Sequence, residues 1–212
     1  MIKAVIFDLD GVIVSTDEFH YRAWKKISVE ENIPFDRQIN QRLRGISRMK
    51  SLEVILERSE KKYTQEEKDK LAERKNNYYK ASLEELSPDD ILPGVTRFME
   101  KLKDAGIRTA IGSSSKNARL ILERINLTDD FDAIVDGTEI AHSKPDPEVF
   151  LLAAKKLGID PRECAVVEDA QAGIEAADKA GMLSVGVGVS ARFAKIKAGD
   201  LLSIGLSDFQ QK

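Results

Sequence analysis

Cysteine is all but absent from this chain: Cys164 stands alone among 212 residues, so no internal disulfide can staple the fold. No apolar stretch near the amino end has the length of a secretory signal or a membrane span, and a reducing, cytoplasmic setting is the default expectation. Neither sign of charge prevails, since 33 basic residues face 36 acidic ones for a formal net charge of -3. That balance argues against a general nucleic-acid surface and says nothing against a local phosphate pocket. Internal repeats and low-complexity tracts are missing too. What remains is a chain with 42% hydrophobic residues, enough for one good core and a smaller accessory module.

The most informative segment is the apolar run Ala4-Val5-Ile6-Phe7, which leads directly into Asp8-Leu9-Asp10-Gly11-Val12. A short run of this kind reads as a buried parallel strand. Asp8 and Asp10 then sit at its carboxyl end, where open α/β sheets bind ligands. A plain turn before Gly11 needs one such residue and does not call for a second carboxylate on the strand itself.

From Ser15 to Ser87 the texture is highly charged, with helical periodicity and no β-branched run. It reads as an all-helical insertion. Ser15 with Glu18, and Thr64 with Glu67, have the spacing of capping boxes and mark two helix starts. Apart from Lys75, the charges alternating between Glu60 and Asn77 read as a solvated helix face. After Ser87-Pro88 the pattern becomes βα alternation, opening with a helix whose apolar stripe is Val95, Phe98, Met99 and Leu102 and which Gly106 should cap. Strands are expected at Ile107 to Ile111, Ala133 to Val135, Ala165 to Val167 and Ser184 to Val187, with a weak one at Leu201 to Ile204. Helices are expected around Ala118 to Arg124, Pro147 to Leu157 and Gln171 to Ala180, with Gly158 and Gly181 as stops. The expected fold is α/β, a doubly wound parallel sheet assembled from residues 1–14 and 88–212 around an insertion at 15–87.

The later strands also end in polar groups: Ser113-Ser114-Ser115-Lys116-Asn117 after one, Ser143-Lys144-Pro145 beyond another, Glu168-Asp169 after a third. Carboxyl ends of parallel strands converge on one edge. Carboxylates gathered there repel, each pair by about 4 kcal/mol at roughly 4 Å in an effective dielectric near 20. A hard cation relieves this, and Mg²⁺ is expected because few carboxylates leave coordination places for water and a phosphate. The serine turn offers hydroxyls and backbone N–H groups, Lys116 and Asn117 add a cation and an amide, and Pro145 restricts the backbone beside Lys144. Together these point to a phosphate ester. Asp8 is the expected nucleophile, forming an aspartyl phosphate, and Asp10 the acid/base two residues on.

Asp8-Leu9-Asp10-Gly11-Val12, Ser113, Lys144 and Glu168-Asp169, in that order, resemble the four motifs of the haloacid dehalogenase superfamily. The insertion resembles that superfamily's helical cap, which implies a Rossmann-like core with an inserted all-helical cap domain. Further segments, His20 with Trp24, Arg44-Gly45-Ile46-Ser47-Arg48, Ser51-Leu52, Arg74-Lys75-Asn76 and Ser115-Lys116-Asn117, resemble its sugar-phosphate mutases. That resemblance implies interconversion of β-glucose 1-phosphate and β-glucose 6-phosphate through a bound β-glucose 1,6-bisphosphate. The transferring phosphate would lie with Asp8, Mg²⁺, Ser113 and Lys144, and the other with Arg48, Ser115, Lys116 and Asn117; bidentate geometry suits arginine at 48. Asp8, Asp169 and the backbone carbonyl of Asp10 would hold the metal, with Glu168 either a ligand or a partner of the ligands. Thr16, Gly45, Ile46 and Ser51 would border the sugar phosphate. His20 and Lys75 would help position Asp10, and Trp24 would line the sugar pocket or serve as core. Three departures stand out: arginine rather than lysine at 44, Ser15 in place of an acid before Thr16, and a short, atypical carboxyl tail.

The same chemistry with water as acceptor would make a sugar-phosphate phosphatase, and the same pocket without chemistry a sugar-phosphate sensor. Arg48 speaks for the mutase, because a bisphosphate needs a second anchor, and the intact pair Asp8 and Asp10 speaks against a sensor. The expected partners are small-molecule sugar phosphates bound by a monomer, with no nucleic acid and no membrane.

Overall fold

The apolar run at the amino end forms β1, Ala4–Phe7, with every residue inaccessible to solvent. Helices cover both faces of such a strand while neighbouring strands satisfy its edges, and β1 pairs in parallel with β2, Arg108–Gly112, and with β4, Cys164–Glu168. The computed structural model describes residues 1–43, 46–188 and 193–209. Adding β3, Ala133–Val135, β5, Leu183–Val187, and β6, Ile196–Ala198, gives one parallel sheet in the order β3-β2-β1-β4-β5-β6. The chain works outward from β1 in one direction and then in the other, so the topological switch lies between β1 and β4.

By contacts the chain divides into two units, Met1–Ser15 with Ser87–Lys212, and Thr16–Leu86. In the first, one sheet face packs Ala4, Ile6, Ala110 and Val166 against Val149, Phe150 and Ala153 of α7, Glu148–Leu157, and Ala176 and Ala177 of α8, Gln171–Lys179. On the other face the Phe7 ring meets Phe98 of α5, Val95–Asp104, edge-on at 6.0 Å, and Phe131 at 6.2 Å. Each such ring buried is worth roughly 1.5–3 kcal/mol in transfer free energy. A short α6, Ala118–Arg124, follows the serine turn.

The second unit holds α1, Asp17–Glu30, α2, Arg37–Gln41, α3, Arg48–Leu56, and α4, Gln65–Ser82. Its core gathers Trp24, Ile27, Ile33, Phe35, Ile39, Leu52, Ile55 and Leu71. Among the described residues no helix is long and apolar enough to cross a membrane.

Two local expectations are corrected. Ser15 does not cap α1: Thr16 occupies that position, makes no side-chain cap, and instead accepts a hydrogen bond from the Tyr79 hydroxyl at 3.1 Å. The weak strand at Leu201 to Ile204 is a 3-10 turn, because the Asp200 carboxylate accepts from the Ser203 N–H at 3.0 Å and its hydroxyl at 2.7 Å and closes the backbone locally. The sheet's sixth strand is β6 instead.

Candidate active site

The sheet's switch point carries the acidic groups. Phe7 pairs with Val167, and the Asp8 N–H continues the ladder by donating to the Val167 carbonyl at 2.9 Å, so Asp8 and Glu168 leave adjacent strands side by side. Lys144 joins them: its Nζ lies 2.5 Å from Asp8 Oδ1 and 2.8 Å from Glu168 Oε1. The side chains of Lys144, Asp8 and Glu168 are 8%, 11% and 2% exposed, so this is a buried ion triad rather than a surface pair. Glu168 Oε2 accepts from the Ala170 N–H at 2.7 Å, at the start of α8.

Lys144 comes from a loop that several contacts hold. Its N–H donates to Ser114 Oγ at 3.4 Å, the Glu148 carboxylate accepts from the N–H groups of Ala141 at 2.9 Å and His142 at 2.7 Å, and Lys179 reaches the Pro145 carbonyl at 3.0 Å. The Lys144–Pro145 peptide is cis. The ammonium sits 4.7 Å from the Phe150 ring centroid. Burial alone would lower the Lys144 pKa, but Asp8 and Glu168 outweigh it and raise it, so the group is a fixed positive charge.

Asp169 completes the cluster, with ligand atoms of Asp8, Glu168 and Asp169 all within 4.8 Å of one another. Burial, then the charges of Glu168, Asp8 and Asp10, push the Asp169 carboxyl up to about 8. Burial likewise raises Glu168. One ammonium therefore does not balance this edge, and an all-oxygen donor set with excess negative charge fits a hard divalent cation. Asp10 lies on the same β1 loop, in an isolated bridge with Val14. Between them Gly11 turns the chain at φ +86°, where a Cβ would stand 2.3 Å from Asp169 Oδ2; only glycine serves there.

Ser113 is buried at the end of β2, its N–H bonded to the Val135 carbonyl at 3.1 Å, and its Oγ accepts from the Ser115 N–H at 3.1 Å. Ser115 Oγ in turn accepts from the Asn117 N–H at 3.2 Å, leaving Lys116 exposed and Asn117 buried. The β3 loop backs this turn: the Gly137 N–H donates to the Ser115 carbonyl at 3.0 Å, and a Cβ on Gly137 would meet the Ser114 carbonyl oxygen at 2.3 Å.

The helical unit brings together a second group of the expected residues. Lys75, buried on α4, places Nζ 2.6 Å from His20 Nδ1 and over the rings of Tyr79 at 4.6 Å and Trp24 at 5.1 Å. His20 stacks on Tyr79 with ring centroids 4.0 Å apart. Burial, then the charges of Lys75 and Arg48, hold the His20 pKa well below its ordinary value. An ammonium only donates, so Nδ1 accepts and the neutral ring carries its proton on Nε2. Arg48, at the start of α3, donates to Asn76 Oδ1 at 2.8 Å, and burial lowers its pKa from the usual arginine value. Thr16 and Ser51 are buried, Ile46 is exposed, and Trp24 lies in the unit's core. Arg44 and Gly45 fall outside the described residues.

Sequence reasoning passed over Gly137 and Gly173, whose importance is spatial. For Gly173 one signal was available, a glycine placed inside a helical pattern without need of a turn.

The sequence model of the haloacid dehalogenase-like hydrolases matches residues 2–181. The chain is 53% identical over 188 residues to a β-phosphoglucomutase of Bacillus subtilis, covering 88% of this chain and 83% of that protein. It is 31% identical over 183 residues to a phosphorylated carbohydrates phosphatase of Thermotoga maritima, covering 85% of this chain and 82% of that one. Among solved structures it is similar to a β-phosphoglucomutase of Clostridium difficile, with a TM-score of 0.91 and 42% identity over 99% of this chain and 96% of the other.

Proposed function

Because the chain belongs to the haloacid dehalogenase-like hydrolase family, we propose that it is a β-phosphoglucomutase, interconverting β-glucose 1-phosphate and β-glucose 6-phosphate through β-glucose 1,6-bisphosphate. The observation that carries this reading is its 53% identity to the Bacillus subtilis mutase, against 31% to the Thermotoga maritima phosphatase. The Asp8–Lys144–Glu168 triad at the switch point supports the chemistry.

In this reading the Asp8 carboxylate attacks phosphorus and the bond to the sugar oxygen breaks, with Asp10 supplying the proton that oxygen needs. In the return half, Asp10 takes a proton from the other sugar hydroxyl as that hydroxyl attacks the aspartyl phosphate. Lys144, charged throughout, neutralises phosphate oxygens, and Ser113 donates its hydroxyl to them. Mg²⁺, held by Asp8, Asp169, the Asp10 carbonyl and either Glu168 or a group that Glu168 partners, would supply the charge neutralisation that lets a carboxylate approach a phosphate. Arg48, Ser115, Lys116 and Asn117 are the groups proposed for the second phosphate, and Thr16, Trp24, Gly45, Ile46 and Ser51 for the sugar's surroundings. His20 and Lys75 are proposed to position Asp10. The setting is cytoplasmic and the active form a monomer.

The test supplies β-glucose 1-phosphate, Mg²⁺ and trace bisphosphate and measures glucose 6-phosphate against free phosphate. Glucose 6-phosphate should dominate, and Asp8→Asn should abolish it together with any phosphoenzyme. Free phosphate as the main product would make the chain a phosphatase, and normal turnover by Asp8→Asn would remove the nucleophile assignment.

A further inference from the structure

We propose that Gly173 is a positioning residue for the acidic edge: the absence of a side chain at this place on α8 is what admits the Glu168 carboxylate to its seat beside Lys144. A Cβ built on Gly173 would lie 1.8 Å from Glu168 Oε1, 2.0 Å from its Cδ and 2.4 Å from its Cγ. The overlap involves the end of the side chain as a whole. Nor can Glu168 swing aside, since Lys144 holds one carboxylate oxygen at 2.8 Å, the Ala170 N–H holds the other at 2.7 Å, and the residue is 1% exposed.

The helix has no room to retreat, because Ile174, Ala176 and Ala177 are buried at 1%, 0% and 0% exposure. Backbone conformation does not demand glycine here either, because Gly173 is not among the positive-φ glycines. Alanine is a better helix former than glycine, so space for Glu168 is the reason left for a glycine at 173. A methyl group there drives the carboxylate off Lys144, which disturbs the charge facing Asp8 and the donor set shared with Asp169. The inference rests on reading that edge as a divalent-cation site.

The experiment compares Gly173→Ala in the full-length wild-type chain and in a Glu168→Ala background, reading Mg²⁺ affinity by calorimetry and the thermal midpoint of the cation-free protein. In the wild type, Gly173→Ala should weaken Mg²⁺ binding at least tenfold and lower the midpoint. In the Glu168→Ala background the same change should leave the midpoint unchanged or raise it. If the single variant fails to fold but the double variant folds, the inference stands. An equal fall in midpoint in both backgrounds, failure of both variants to fold, or wild-type Mg²⁺ affinity in Gly173→Ala would overturn it. Absence of Mg²⁺ binding by the unaltered chain would instead remove the cation reading, while the midpoint comparison still decides whether Gly173 makes room for Glu168.

Discussion

His20 and Lys75 are a base and a cation held 2.6 Å apart, and one proton decides whether the pair attracts or repels. While the ring is neutral the ammonium donates to Nδ1; once protonated it would face Lys75 and Arg48 as a third positive charge. Burial first, and then these charges, make the folded state bind that proton less readily than the unfolded chain does. A depressed histidine pKa leaves the stability contribution complete above the unfolded value of about 6.5, and it is lost as pH falls from there toward the folded value. The slope within the window approaches about 1.4 kcal/mol per pH unit at most. Denaturant unfolding at a series of pH values should show the stability of wild type falling below about pH 6.5 relative to that of His20→Gln, which keeps an acceptor for Lys75 without the titration; the comparison cancels the opposite trend of the raised Asp169 carboxyl, present in both proteins. Parallel curves for the two proteins would mean that His20 is not the titrating group.

Helix starts show how the same residue pattern can act in different ways at the level of elements. Thr64 and Glu67 form a full capping box on α4, with the Thr64 N–H donating to the Glu67 carboxylate at 2.8 Å and the Glu67 N–H to Thr64 Oγ1 at 3.3 Å. Thr64→Ala should cost about 1 kcal/mol, read as a fall of roughly 2–4 °C in thermal midpoint, without altering the chemistry of Asp8. A variant as stable as wild type would mean that the box adds nothing to α4. Ser15 and Glu18 have the same spacing, but the helix begins one residue later and Thr16 turns its hydroxyl to Tyr79, a tertiary partner that no local pattern encodes. The βα alternation was legible because the strands are short apolar runs, the helices carry their own period, and glycine ends several of the helices, as at Gly158 with φ +68° and Gly181 with φ +72°. β6 was not legible, because Lys197 interrupts the continuous apolar run that marks the equally short β3, and the nearby Leu201 and Ile204 offered apolar residues whose turn depends on the Asp200 carboxylate. Gly173 escaped for a related reason: what fills the space above it is Glu168, brought there by the path of the chain from β4 into α8.

For the whole molecule, the order β3-β2-β1-β4-β5-β6 turns a string of separate acidic and serine-rich strand ends into one edge, with Asp8 and Glu168 on neighbouring strands at the switch. That the polar strand ends share one edge was legible from the βα alternation and the motif order, whereas the strand order itself was not, because no local pattern says which strands pair. The lysine bridge at 2.5 Å and 2.8 Å needed coordinates, since nothing local to Lys144 says which carboxylates it meets. All of these groups belong to the unit made of Met1–Ser15 and Ser87–Lys212, and that unit closes on itself where the insertion leaves it: Val14 bridges Ile91, and the Leu92 N–H donates to the Ile13 carbonyl at 2.9 Å. Replacing residues 16–86 by a short glycine-serine linker therefore spares both faces of the sheet core and every member of the acidic edge. Such a protein should unfold cooperatively and retain slow, Asp8-dependent hydrolysis of a small aryl phosphate, because the groups proposed for the attack on phosphorus, Asp8, Ser113 and Lys144, remain and an aryl leaving group needs little help from an Asp10 that has lost His20 and Lys75. It should lose conversion of β-glucose 1-phosphate to glucose 6-phosphate, since Arg48, proposed for the second phosphate, and His20 and Lys75, proposed to position Asp10, leave with the insertion. Retained mutase turnover would show that the helical unit holds neither the second phosphate nor the sugar. Loss of aryl phosphate hydrolysis in a cooperatively folded protein would show that the first half also depends on the helical unit.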